Sequence, residues 1–418
     1  MTRRAWTRRA FLALACTLAG ALAADAAPPL RIAVTGDYPP LAARSADGDY
    51  VGFDVDVARA FAATRGSEIE WVPVRWPELD AALAARRFDI AMTGVTVRPD
   101  RSIAGVFTVP VLESGAVVLV RDGALASVEA LAKPGVALHV NAGGHLERVA
   151  RARFPLAAIS ALPDNSAVRD AFASGAAGAV VTDTLEAPRW RALVPGAAQV
   201  GPLTRDAKAY WLPPDRAALA AELDAWLQQR ESDGSLAQLR AQWLGTDALQ
   251  RPSAQPALAL IAALAERFAL MPEVAEAKRA SGAPVLAPER EAALLATAVV
   301  AAQDAARRER IPAPEKAALE AFFAALFAAS REVQHAALAA ASTDPSAPVY
   351  DLDTELRPAL TRITERIAAL LPRLPARLSE SAVAEDLAAR CTDLPGFGES
   401  ERERVAAALA QLASAPRH

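Results

Sequence analysis

Leu249-Gln250-Arg251-Pro252-Ser253-Ala254-Gln255-Pro256 is the point at which this chain changes texture. The stretch is polar and carries two prolines, which makes it a short semi-extended spacer. Upstream, apolar runs of strand length alternate with amphipathic helical patterns. Downstream, nearly everything reads as alanine-rich helix. A chain of 418 residues has room for two hydrophobic cores, so the change marks two folds. The expected organisation is an α/β unit at 28–247, a linker at 248–256 and an all-α unit at 257–418.

Working upstream, strands are expected at 30–34, 68–74 and 88–93, with helices at 51–63 and 77–86 between them. That alternation predicts a parallel sheet with helices on both faces. The pattern restarts after Val120, and Gly178-Ala179-Val180-Val181-Thr182-Asp183 echoes Arg87-Phe88-Asp89-Ile90-Ala91-Met92-Thr93. Two lobes follow, the first at about 28–120 and 207–247, the second at about 121–206. Ligands of open α/β sheets bind at the carboxyl ends of the strands, so two facing lobes make a cleft.

The net charge of −4 gives no electrostatic footprint for nucleic acid. Residues 1–26 read as an export signal, with Arg3, Arg4, Arg8 and Arg9 before the apolar stretch 11–23. Thr7-Arg8-Arg9-Ala10-Phe11-Leu12 is similar to a twin-arginine signal; an ordinary Sec signal or a lipoprotein Cys16 stays open. The mature chain is expected in the periplasm and off the membrane. It would keep only Cys391, which leaves no disulfide and no cysteine-based metal site. His139, His145, His335 and His418 show no ligand spacing, so no metal is expected. A monomer and a homo-oligomer both remain open.

In the α/β unit, Thr96 offers a hydroxyl and Arg101 a planar fork suited to a carboxylate. Taken alone, such an arginine is an ordinary surface charge. The segments Thr35-Gly36-Asp37-Tyr38, Gly52-Phe53-Asp54-Val55-Asp56, Trp76-Pro77, Val140-Asn141-Ala142-Gly143-Gly144, Pro163-Asp164-Asn165, Thr182-Asp183-Thr184-Leu185-Glu186-Ala187 and Lys208-Ala209-Tyr210 change the reading. Together they resemble the periplasmic solute-binding proteins for polar amino acids, and within them the cyclohexadienyl dehydratases. The resemblance implies prephenate or arogenate as substrate, losing its ring hydroxyl as water together with CO2, with no cofactor. It implies Glu186 as the general acid, beside an apolar wall such as Trp76 that would keep its carboxyl protonated. Thr96, Arg101, Asn141, Gly143 and Gly144 would bind substrate. One departure stands out: the family continues the glycine turn with Thr-Asn, and here His145-Leu146 follow.

In the all-α unit, Arg267, Lys278, Arg290 and Arg366 are each an ordinary surface charge taken singly. Ser330 and Gln334 form an i,i+4 pair on the longest helix, and Ile363, Ile367 and Leu370 mark an inward face around Arg366. Ala265-Glu266-Arg267-Phe268, Val274-Ala275-Glu276-Ala277-Lys278, Glu289-Arg290-Glu291, Ser330-Arg331-Glu332-Val333-Gln334 and Leu356-Arg357-Pro358 resemble the secreted all-helical chorismate mutases. The resemblance implies that Arg267, Arg290 and Arg366 bind carboxylates, Lys278 and Gln334 address the ether oxygen, and Ser330 assists. Chorismate rearranges to prephenate without nucleophile, base or metal, so preorganised donors suffice.

The expected fold class is therefore a two-lobed periplasmic-binding-protein-like α/β domain followed by a chorismate-mutase-like helical domain. The two resemblances fit one pathway, since the product of one unit is the substrate of the other. The alternative is a mutase fused to a non-catalytic receptor, in which Asp183 would hold an α-amino group.

Overall fold

The computed structural model describes residues 27–245, 251–340 and 348–417. The expected export signal and the start of the linker lie outside these residues.

The first lobe is built on Ala27–Val34, which pairs in parallel with Ser67–Pro73 and Ile90–Ala91. Trp211–Leu212 runs antiparallel between Ile90–Ala91 and Val106–Phe107. In the second lobe, Ala137–Asn141 lies in parallel between Ala158–Leu162 and Ala179–Asp183. Ala116–Val120 pairs antiparallel with both Ala179–Asp183 and Ala198–Val200. Both sheets are thus mixed rather than parallel throughout. The antiparallel strands lie where the chain passes between lobes, without the helical crossover a parallel neighbour requires.

Ala116-Val117-Val118-Leu119-Val120 shows why the second sheet sits where it does. All five residues are buried. Val117 and Leu119 feed the core on one face, and Val118 and Val120 feed the core on the other. A continuous apolar run is what a strand covered on both faces needs.

Two strands cross between the lobes, Leu112–Ser114 and Asp206–Lys208, antiparallel with Asp206 opposite Ser114. The return through 206–212 is two separate strands, one in this hinge and one in the first lobe.

The all-α unit contains Pro256–Ala269, Met271–Ser281, Pro288–Glu309, Lys316–Ala340, Arg357–Leu370, Glu380–Arg390 and Glu399–Ser414. Pro272 restarts the helix after Ala269 and lies in the first turn of the next one, where its missing N–H costs nothing. The halves are not beads on a string. One continuous apolar core runs from Leu30 and Phe53 in the first lobe to Phe268, Phe322 and Leu409 among the helices. Truncating a fully buried ring there, such as Phe268, costs about 3–5 kcal/mol.

Candidate active sites

The cleft between the lobes is nearly shut. A cavity of about 30 Å³ remains, lined by Tyr38, Trp76, Thr96, Arg101, Asn141, Gly144, His145, Asp183, Glu186 and Lys208 among others. That is room for a water or two, so a ring acid enters only when the lobes part. Hydrogen bonds across the gap hold them together. Tyr38 donates to Asp183, and the Asn165 N–H donates to Asp37 at 3.2 Å.

Glu186 is 1% exposed and follows the strand Ala179–Asp183. Oε2 accepts from the Thr182 hydroxyl at 3.1 Å, and Oε1 is buried without a partner among the described residues. Burial drives its pKa well above the carboxylate range, and the neighbouring Asp183 charge pushes the same way. Glu186 is therefore held as the neutral acid. The wall expected from Trp76 is present in the same cleft, but burial as a whole and Asp183 set the shift. Glu186 precedes the helix Ala187–Leu193 yet makes no side-chain cap, so its carboxyl is not consumed by the helix end.

Arg101 is buried beneath the Trp211 ring and pairs with Asp80 at 3.3 Å. Its Nη2 has no partner among the described residues, which leaves one arm of the fork for a carboxylate. Burial lowers its pKa to about 10, still fully cationic near neutrality. Asn141 Oδ1 is likewise buried without a partner. Gly144 gives that amide its room, since a Cβ would come within 2.9 Å of Asn141 Nδ2.

Gly143 does not line the cavity. Its N–H goes to Glu147 at 2.7 Å, and it packs at φ +71° against Pro77 of the other lobe, where a Cβ would sit 2.9 Å from Pro77 Cα. Its place in the turn is structural. His145 reaches to Asp206 at 3.0 Å and so ties the second lobe to a hinge strand.

Lys208 and Tyr38 were quoted in the sequence motifs without a role. Lys208 Nζ donates to Thr96 Oγ1 at 2.9 Å and lies 3.4 Å from Asp183. Asp183 also accepts the N–H groups of Leu185 and Glu186 on Oδ1. Its carboxylate is thereby fully engaged by the protein itself. Only the fold brings position 208 to position 183, because the hinge strand and the second sheet are distant in sequence.

The helical pocket is roomier, at about 220 Å³. Arg267, Lys278, Arg290, Ser330 and Gln334 all line it, together with Arg331 and Arg357. Arg267 donates to Ser330 Oγ at 2.6 Å, lies over the Phe327 ring and keeps Nε without a partner among the described residues. Burial lowers its pKa to about 10. Lys278 is lowered by burial first and by the nearby Arg357 and Arg290 charges, and it donates to the Val285 carbonyl at 2.9 Å. Gln334 is buried; Nε2 donates to the Ser330 carbonyl at 3.1 Å, and Oε1 has no partner among the described residues. Presenting an N–H to a ligand takes a rotation of that terminal amide.

Arg366 is not in this pocket. It pairs with Glu266 and donates to the Phe107 carbonyl at 2.6 Å, between the two halves of the molecule. The inward face read from Ile363, Ile367 and Leu370 is buried, and its helix packs mainly against Pro256–Ala269 and Pro288–Glu309, with a smaller contact to Pro99–Ala104 of the α/β half. Arg357, Leu360, Thr361 and Thr364 form the face toward the pocket. Two residues past Thr364 is about 200° around the helix, so Arg366 points away. Arg357 takes the place expected of it. Periodicity alone gives one buried stripe per helix and does not reveal a helix buried on two sides.

Residues 30–246, more than half of the chain, match the model of the bacterial extracellular solute-binding proteins, family 3. Residues 258–335 match the chorismate mutase type II model. The cyclohexadienyl dehydratase of Pseudomonas aeruginosa is 36% identical over 221 residues, which are 51% of this chain and 82% of that protein. ABC transporter arginine-binding protein 1 of Escherichia coli is 32% identical over 111 residues, 26% of this chain and 46% of that protein. A solved ancestral amino-acid-binding protein, described as a precursor of cyclohexadienyl dehydratase, is 32% identical with a TM-score of 0.49 over 52% of this chain and 95% of that one. With two lobes closing on a polar cleft and a helical segment of the chorismate mutase type behind them, the chain belongs to the bacterial extracellular solute-binding proteins, family 3.

Proposed function

We propose that the chain is a bifunctional enzyme of phenylalanine synthesis working outside the cytoplasm. The helical half rearranges chorismate to prephenate, an isomerase step. The α/β half then converts prephenate to phenylpyruvate, water and CO2, a carbon–oxygen lyase step, and arogenate to phenylalanine by the same chemistry. The relative named cyclohexadienyl dehydratase and the type II mutase match support the pairing.

In the helical pocket, Arg267, Arg290 and Arg357 hold the two carboxylates, and Lys278 with Gln334 faces the ether oxygen as it gains negative charge. In the cleft, Arg101 and Asn141 take a substrate carboxylate. Glu186 gives its proton to the ring hydroxyl, which leaves as water. The ring carboxylate leaves as CO2, and its electron pair completes the aromatic ring. Glu186 is then a carboxylate beside Lys208, whose charge favours that form. Water must reprotonate it when the lobes open.

The observation that carries this reading is the neutral, buried Glu186 in one cavity with the unpartnered arm of Arg101. The receptor alternative needs the Asp183 carboxylate for an ammonium group, and Lys208 already supplies that ammonium. Purified protein given chorismate should consume it and accumulate phenylpyruvate, followed by absorbance. Loss of chorismate with no phenylpyruvate, together with tight binding of an amino acid, would leave the cleft a receptor.

A further inference from the structure

The two strands that cross between the lobes are gripped from outside by a helix of the other half. Glu113 lies on Leu112–Ser114, and Arg205 immediately precedes Asp206–Lys208. Asp386 and Arg390 stand one turn apart on Glu380–Arg390, each with its side chain 4% exposed. Arg390 pairs with Glu113. Arg205 bridges Glu113 at 3.1 Å and Asp386 at 2.6 Å. Arg251, from the linker, reaches Asp386 at 3.0 Å and Glu113 at 3.6 Å. Two carboxylates and three guanidinium groups thus form one network across the hinge.

Each gripped strand leads to a functional group of the cleft. Two residues beyond Glu113, Gly115 exchanges two hydrogen bonds with Thr184, whose hydroxyl accepts at 3.2 Å and whose N–H donates at 3.0 Å. Thr184 lies in the turn that carries Asp183 and Glu186. Three residues beyond Arg205, Lys208 meets Thr96 and Asp183.

We propose that Asp386 and Arg390 of the helical half are positioning residues for the reaction in the cleft. Lobe opening is absorbed by φ/ψ changes in a few hinge residues. The buried part of the network, Glu113, Asp386 and Arg390, permits few geometries, because a misplaced partner leaves a buried charge uncompensated, while Arg205 and Arg251 reach it from partly exposed positions. The clamp therefore returns the two strands to one register on each closure and sets Glu186 against Lys208. An exposed pair could not do this, being worth little and easily broken. The α/β half is then not self-sufficient, and part of its precision comes from the mutase half. This inference rests on the dehydration reading above.

The test uses the full chain with Asp386→Asn, which keeps the shape and removes the charge, and Arg390→Lys, which keeps the charge. Asp386→Asn should lower kcat on prephenate about 10–100-fold, the scale of a misplacement near 1 Å, with KM changed far less. Chorismate consumption should stay within about twofold, and amide exchange should accelerate in 112–115 and 205–208 above the rest of the lobes. Arg390→Lys should retain most of the wild-type kcat. Unchanged kcat and exchange, or an equal fall in both activities, overturns the proposal. If the wild type makes no phenylpyruvate from prephenate, the dehydration reading fails instead. The exchange result then decides alone: faster exchange confined to the two strands supports the clamp, and unaltered protection removes it.

Discussion

The cleft and the helical pocket handle similar anions with different physics. The cleft is nearly closed at about 30 Å³, and its central group is a carboxylic acid kept neutral by burial. The helical pocket stands at about 220 Å³, and the residue in the corresponding role is an amide that does not titrate. Expelling a hydroxyl requires a proton, so the site needs an acid, and holding that acid neutral requires a shut, dry cavity. A pericyclic rearrangement moves no proton, so an accessible preformed pocket with fixed cations is enough. On the proposed reading, bond cleavage belongs to the closed cleft and rearrangement to the roomier helical pocket.

The sharpest way to separate the two sites is Glu186→Gln. Phenylpyruvate formation should fall by about 10²–10⁴-fold, the usual worth of a general acid, while prephenate still accumulates from chorismate. Comparable phenylpyruvate rates in the variant would show that the proton comes from elsewhere.

Next in size is Arg267→Ala in the helical pocket. It removes a buried guanidinium that holds Ser330, and a charged hydrogen bond lost there is worth about 1.5–3 kcal/mol, or roughly 10–100-fold in mutase kcat/KM. Conversion of added prephenate should not change.

A pH series should divide the halves without any mutation. Gln334 donates at every pH, so mutase kcat/KM should hold from mildly acidic to mildly alkaline buffer. The cleft should lose rate as pH rises through the raised pKa of Glu186, because only the protonated form acts. Stability has a matching sign. Asp54, pushed by burial to about 7, binds its proton more tightly folded than unfolded. Its contribution is full at acidic pH and is lost as pH climbs from the ordinary aspartate value of 3.8 toward 7. Asp54→Asn should flatten the urea midpoint over that window; an unchanged slope would assign it to other groups.

The smallest catalytic effect should come from Arg366→Ala. Its side chain lies between the halves, so mutase kcat/KM should stay within about threefold, while leaving the Glu266 charge with only the Ser102 hydroxyl costs about 3 kcal/mol of stability. A large mutase defect with unchanged melting would return Arg366 to the pocket.

Much of this was legible beforehand because the code is local. The switch from strand-length runs to alanine-rich helix at 249–256 follows from side-chain period and proline alone. Glu186, Arg101, Arg267, Lys278 and Ser330, which line the two cavities, are legible as candidates because each sits in a short recognisable segment. Arg366 was misplaced because its helix is buried on two faces, and a single apolar stripe does not say which neighbour it meets. Lys208 was missed because its meaning depends on Asp183, which reaches it only through the crossing of two strands.

By itself, the sequence determined two folds, the place where they join and most of the side chains at each site, since propensity and periodicity act within a few residues. Tertiary structure decided the rest. It fused the halves into one apolar core, turned Arg366 from a ligand group into an interface tie, filled the Asp183 carboxylate with Lys208 and Tyr38, and set the Asp386–Arg390 clamp on the hinge. Those outcomes depend on burial and charge proximity between residues far apart in the chain, and such interactions exist only once the chain has packed.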